Sequence, residues 1–552
     1  MKVKRKWLIL IALMVLFTGG CSLKTNTENL KDQSPSPQEI TKEVGEIRIT
    51  TGGQKGKEGT VPVASLAISN GSAEIPRGVW GYPVLTEKMF SPNGEWVAFT
   101  GSRNDNGRGL WAVTMNGSQG NLLATIEEKE HTSGTLMINL LGWTDKNEVV
   151  FTRQGTQPDG PHQGERGISL RIISPEGKNA QELSWIPVPK GMVDEVEYFP
   201  EQGFIITRTT GSIWRVDLTN GQKKLLRKDL PNYDGLFRAR LSPGGNYYVY
   251  ELRKDNKWCI YCLNTLTGEE NLVVSEGKTF NFYPQWSPDG QYLAYYAAAQ
   301  NKEGPIKQDI YRSIAQEYDI IPGEDGPEPI AATVSIVIPK GKKITHLAVS
   351  GAKIMDFCWS QDSKHLAFAA GQTKVVDKGE TGTGPIFKQV ESIWVADLEG
   401  ETKKLADLSA QASNDIKIIN VFSDGRQVYY FTFDSQGNSS LWLARESKQP
   451  MLIDPDIPGG WWEYSVFPSL GDELFLCRYT DKKKEEEITR EEEIYRIHGT
   501  KAVQLTFDGG EKPVFGLAGN WLVYTQQSKP EENSSKIVIL QLPKAKEPLY
   551  DH

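Results

Sequence analysis

A chain of 552 residues with fifteen Trp, twenty Tyr, nineteen Phe and fifty-three Gly has the aromatic, turn-rich balance of stacked short strands. No long 3.6-residue periodicity competes with that pattern, so an all-helical fold is excluded. A formal net charge of −8 argues against nucleic acid as a partner, because phosphate contacts need a basic surface.

In chain order, the first element is an export signal. Lys2, Lys4, Arg5 and Lys6 precede the apolar run Trp7–Phe17, which ends in Thr18-Gly-Gly-Cys21. That run is shorter than the roughly 17 to 25 residues a spanning helix needs, so residues 1–20 read as a cleaved leader. Small residues directly before Cys21 resemble a bacterial lipobox. The resemblance implies a diacylated Cys21 and attachment at the extracytoplasmic face of the cell membrane; two acyl chains hold stably where one is marginal. Loss of the leader would bring the net charge to about −12.

Residues 21–60 are polar and poor in aromatics, with Ser34-Pro-Ser-Pro37 and Gly52-Gly-Gln-Lys-Gly56, and read as a flexible tether. Residues 61–552 read as one domain. Its first segment, Val61–Ser69, is apolar enough for a strand that could pair with the last strands of the chain.

From there an anchor, a tight polar turn and an apolar strand recur. The anchors are Phe90, Trp143, Phe199, Leu241, Trp286, Trp359, Phe422, Phe467 and Phe515. The clearest unit is Trp286-Ser-Pro-Asp-Gly290 followed by Gln291-Tyr-Leu-Ala-Tyr-Tyr296. Pro presets φ, Ser or Asp accepts a backbone N–H, and Gly supplies positive φ where the chain reverses. Second hairpins follow, as in Ser392-Ile-Trp-Val-Ala-Asp-Leu398 leading to Thr402–Leu405. Four strands per unit cannot bury their faces alone and must stack on copies. The expected fold is therefore all-β, a propeller of four-stranded antiparallel blades. Nine anchors allow seven to nine blades, and eight is favoured because terminal strands often share a blade.

The pattern Trp-Ser-Pro-Asp-Gly, then Leu-Ala-Tyr or Leu-Ala-Phe, then Ile-Trp-Val-Ala-Asp-Leu resembles the WD40-like repeats of the TolB-type β-propeller family over about residues 84–550. The resemblance implies a monomeric platform for envelope or secreted proteins, or for a glycan or peptide ligand. It does not fix function, since similar blades serve scaffolds, peptidase gates and sugar-acting enzymes.

Catalytic signatures are missing from the sequence. It has no Gly-x-Ser-x-Gly elbow, no phosphate-binding Gly loop and no His spacing for a metal, so no catalytic residue, metal or cofactor is expected. The chain after the last repeat leaves no room for a hydrolase domain. Cys259 and Cys262 fall three apart in a strand, on opposite faces, and read as buried small side chains.

Two insertions, at 297–329 and 371–388, lie between second and third strands of adjacent units and should project from one end. The first supplies the candidate binding residues Tyr311, Arg312, Tyr318 and Asp319. Trp461 and Trp462 form the densest aromatic cluster, and paired Trp can stack on sugar rings or pack between blades. The charged stretch from Lys482 to Glu493 reads as a solvated hairpin tip. The leading functional expectation is a lipid-anchored, non-catalytic binding platform; the alternative is an enzyme or solute receptor acting on polysaccharide or peptide in a central funnel.

Overall fold

The structure is a computed structural model, and it describes residues 40–542 apart from internal stretches. The longest of these are 77–85, 128–135, 229–239, 300–331, 376–385 and 458–468. The described residues form nine antiparallel sheets, eight of four strands and one of six, with no α-helix. In each four-stranded sheet the strands follow one another in chain order. The first sheet comprises Ser72–Glu74, Trp96–Ser102, Arg108–Thr114 and Gly120–Ile126. The eighth comprises Ser469–Leu470, Glu473–Lys484, Glu487–His498 and Lys501–Gln504.

The ninth sheet joins both ends of the chain. Phe515–Ala518, Trp521–Gln527 and Ser535–Gln541 are completed by Gly59–Ile68, and then by Ile47–Gly56 and Ile40–Val44. Pairing runs from Val63 opposite Leu540 to Leu66 opposite Ile537. Two sequence expectations need correction here. The tether cannot extend to residue 60, because Ile47 and Ile49 face Ile68 and Leu66 and are each 1% exposed. Alternate apolar residues bury one face of that strand although its composition is polar. The sheets also number nine rather than the favoured eight, since the terminal strands complete a unit of their own.

Buried apolar side chains explain why the second strands read as continuous apolar runs. Each sheet is covered on both faces, so Val97 and Phe99 pack toward the ninth sheet while Trp96 and Ala98 pack toward the second. The same two-sheet clusters recur along the chain. The ninth sheet meets the eighth through Tyr524 and Phe475, and the first through Val523 and Val97.

The polar turns hold the first and second strands by local bonds. Ser287 Oγ donates to Asp289 Oδ1 (2.6 Å) and accepts from the Tyr292 N–H (2.9 Å), while Gly290 takes φ 68°. Ser91 and Ser360 repeat the arrangement with Asn93 and Asp362. Anchors then tie sheet to sheet. Trp143 Nε1 donates to the Met89 carbonyl (3.1 Å), Tyr198 Oη to the Trp143 carbonyl (2.5 Å), and Trp359 Nε1 to the Gln285 carbonyl (3.3 Å).

Candidate binding surface

The meander gives every sheet two unlike ends. At one end lie the turns joining first to second and third to fourth strands; outside the first sheet, where residues 75–95 intervene, the described ones are short. Their neighbours touch: Asn93 N–H donates to Asn147 Oδ1 (3.0 Å), Asp289 N–H to Ser363 Oγ (2.9 Å) and Ser423 N–H to Asp472 Oδ1 (2.9 Å). These bonds align successive sheets, so the opposite ends also fall side by side. That second end, the loop end, carries the connections from second to third strands and from each sheet to the next.

The long connections belong to the loop end. In the fifth sheet the chain leaves at Ala299 and returns at Ala332. In the sixth, the ladder of His365–Val375 with Ile386–Asp397 runs to the Val375–Ile386 pair, so both flanks of the expected 371–388 insertion are hairpin strand. In the eighth, Glu473–Lys484 and Glu487–His498 pair out to Lys484 opposite Glu487. Of the residues singled out in the sequence, Tyr311, Arg312, Tyr318, Asp319, Trp461, Trp462 and Cys21 lie outside the described residues. The described strand ends bracketing 300–331 and 458–468 belong to the loop end.

Beneath the long hairpin of the eighth sheet is a charged cluster that the sequence reading missed. Lys512 is fully buried, and its Nζ donates to the Glu492 and Gly509 carbonyls, lies 3.1 Å from Asp508 Oδ1 and 3.5 Å from Glu493 Oε2, and sits over the Tyr524 ring. Glu493 accepts from Thr506 Oγ1 and the Gly509 N–H, and Tyr524 Oη donates to Asp508 Oδ2 (2.8 Å). Glu492 and Glu493 are only 6% and 8% exposed, so this part of the stretch read as a solvated tip is interior. Glu492 is enclosed because its N–H and carboxylate bind Gly510 and Lys512 in the connection to the ninth sheet. The network fastens that connection to the base of the hairpin. On its other side Arg478 makes a two-point ion pair with buried Asp454 of the seventh sheet (2.7 and 3.0 Å).

The second sheet offers a smaller loop-end cluster, between Thr156 and Arg166. His162 stacks on Trp185 with 4.4 Å between ring centres, and its nitrogens lie 3.1 Å from Glu165 and 3.5 Å from Glu182. Arg153 pairs with Asp159 (2.9 Å) at the base of the same loop. A Ser-His-carboxylate relay is not what this builds, because Ser169 is fully buried and donates to Glu182.

Thiol chemistry has no foothold among the described residues. Burial pushes Cys358 up to about 12 and Cys477 well above the usual range, so both stay protonated. Cys259 and Cys262 are buried at alternate-face positions of Lys257–Asn264 and form no disulfide with each other. Among the described residues no group of three His, Cys, Asp or Glu could hold a metal ion, and no helix is long and apolar enough to cross a membrane.

No protein-family model matches the chain, and no curated protein matches its sequence. Solved structures give distant likenesses. Oligogalacturonate lyase from Vibrio parahaemolyticus is 10% identical, with 92% of this chain and 99% of that one covered and a TM-score of 0.34. The β-propeller domain of the Trilobed protease from Pyrococcus furiosus is 11% identical over 68% and 97%, with a TM-score of 0.27. An Agrobacterium tumefaciens protein assigned as a TolB is 14% identical over 54% and 87%, with a TM-score of 0.24. At such identities and TM-scores these likenesses carry no argument, and the all-β fold stands on its own strands.

Proposed function

We propose that the chain is a bacterial lipoprotein, held at the extracytoplasmic face of the cell membrane through Cys21, whose nine sheets are the blades of one TolB-like β-propeller. Its activity is binding rather than catalysis: it displays a platform to envelope or secreted proteins, or to a glycan or peptide ligand. The closed-ring reading is supported by the ninth sheet packing on both the eighth and the first. The binding reading rests on one observation, the contrast between the two ends. Apart from residues 75–95 of the first sheet, the turn end is spent on bonds between neighbouring sheets, whereas the long connection of the fifth sheet and the long hairpins of the sixth and eighth collect at the loop end. Long connections on a rigid scaffold are well placed to make contacts.

The test is capture from solubilised envelope membranes, comparing the mature chain with one lacking residues 300–328, read by mass spectrometry. A protein retained by the first and lost by the second supports the platform. Equal capture by both removes the loop end from the argument, and labelling with radioactive palmitate that does not depend on Cys21 removes the anchor.

A further inference from the structure

Residues 157–165 join the second and third strands of the second sheet, Val149–Thr156 and Arg166–Ile173. Backbone bonds close the base of this connection, from the Gln157 N–H to the Glu165 carbonyl and from the Gly164 N–H to the Gln157 carbonyl (both 2.9 Å). The tip above them is fastened to the sheet by side chains, Asp159 on Arg153 and His162 on Trp185. Trp185 belongs to the fourth strand, Gln181–Pro187, and its indole lies on Gly167, where a Cβ would stand 2.5 Å from Cζ2. The indole is thus a fixed seat, and the His162 ring is the part that closes on it, with 4.4 Å between centres and 8° between planes.

Both nitrogens of that ring face a carboxylate. Nδ1 is 3.1 Å from Glu165 of the loop itself, and Nε2 is 3.5 Å from Glu182 of the fourth strand. A neutral imidazole carries one N–H, so its other nitrogen would turn a lone pair on a carboxylate, whereas the imidazolium donates on both sides. A cation is also favoured over the face of an indole. Closed geometry and the protonated ring therefore go together. The other charges around the ring are engaged. Arg171 of the third strand shares Glu182 (3.6 Å), to which Ser169 also donates, Arg153 of the second strand takes Asp159, and Lys223 of the third sheet donates to the Trp185 carbonyl (2.9 Å). Closure carries a standing cost as well. Among the described residues, Arg153 Nε and Gln157 Oε1 at the base of the loop are buried without a hydrogen-bond partner, and a lifted tip lets water reach them.

From this geometry we infer that residues 157–165 are a pH-operated cover over the Trp185 indole. The cover is closed while His162 is protonated and is released when the ring gives its proton to water, which bares the indole and Glu182 at the loop end. Histidine is the side chain whose charge ordinarily changes between about pH 5 and 8. The sign follows from the proton count. The closed tip holds one proton more than the released tip, so closure is fully present in acid and is lost as pH rises. The cover belongs to the second sheet and operates whether or not the loop end binds a partner.

Hydrogen exchange on the full chain tests it, read by mass spectrometry at about pH 5.5 and about pH 8 and expressed as protection, so that the chemical pH dependence divides out. The amides of Gln163 and Glu165, bonded inside the closed tip to the Gly160 and His162 carbonyls, are the reporters. Their protection is expected to fall at least about threefold from the lower pH to the higher, the scale of a partly exposed ion pair. His162→Gln should abolish the difference, and Glu182→Gln should shrink it. Asp159→Asn loosens the other fastening and should lower protection at both pH values alike, leaving their ratio unchanged. Protection that does not change with pH or that rises with it overturns the proposal, as does a fall that persists undiminished in His162→Gln or Glu182→Gln.

Discussion

Ser287 shows how much one hydroxyl organises. It closes the turn to Asp289 and receives the Tyr292 N–H, so Ser287→Ala strands a backbone donor as well as removing a bond. The expected loss is about 1–3 kcal/mol, seen as a lower urea midpoint at unchanged m-value. Asn147 and Ser363 stand where other units place Gly, with φ of 62° and 63°. Each turns that strained conformation to use by accepting an N–H from the preceding sheet. Ser363→Gly relieves the backbone and loses the bond, whereas Ser363→Val keeps the strain and loses the bond too. The valine variant should therefore be the less stable of the two on thermal melting. Acid sensitivity also begins at single residues. Bonds from the Thr219 side chain and backbone hold the Asp217 carboxyl below its usual range. A depressed carboxyl contributes stability above its unfolded pKa and loses it as pH falls through the folded one. Asp217→Asn should consequently flatten the acid limb of the stability profile below about pH 4.

Among elements, the hairpin of the eighth sheet depends on the buried cluster at its base. Lys512→Met leaves the interior carboxylate of Glu493 without its cation, and a loss of about 3–5 kcal/mol is expected in denaturant unfolding. Elements also show which parts of the fold a sequence displays. Ser-Pro-Asp-Gly turns were legible because their bonds close within five residues, as from Ser287 to Tyr292. Phe90, Trp286 and Trp359 were legible as anchors because each directly precedes such a turn. The strand Ile47–Gly56 was not, since its apolar signal is two isoleucines whose partners, Leu66 and Ile68, lie across a hairpin. Lys512 and Glu492 are separated by 20 residues and meet only because a connection folds back over the sheet.

For the whole molecule, the seam of the ninth sheet is the critical joint. Ile49 lies in the cluster shared by the first and ninth sheets, and Ile49→Ala should cost about 2–5 kcal/mol while leaving far-ultraviolet circular dichroism unchanged. Ser72 and Ser535 touch although 463 positions apart in the chain, and Val63 to Leu66 wait for Ile537 to Leu540. The strands synthesised first are thus finished by strands synthesised almost last. During synthesis the early edge stays open while most of the chain is made, exposed to mispairing with any other unfinished strand. Maturation is therefore expected to be a kinetic race, in which slow delivery of the strands between Phe515 and Gln541 favours aggregation over a completed fold.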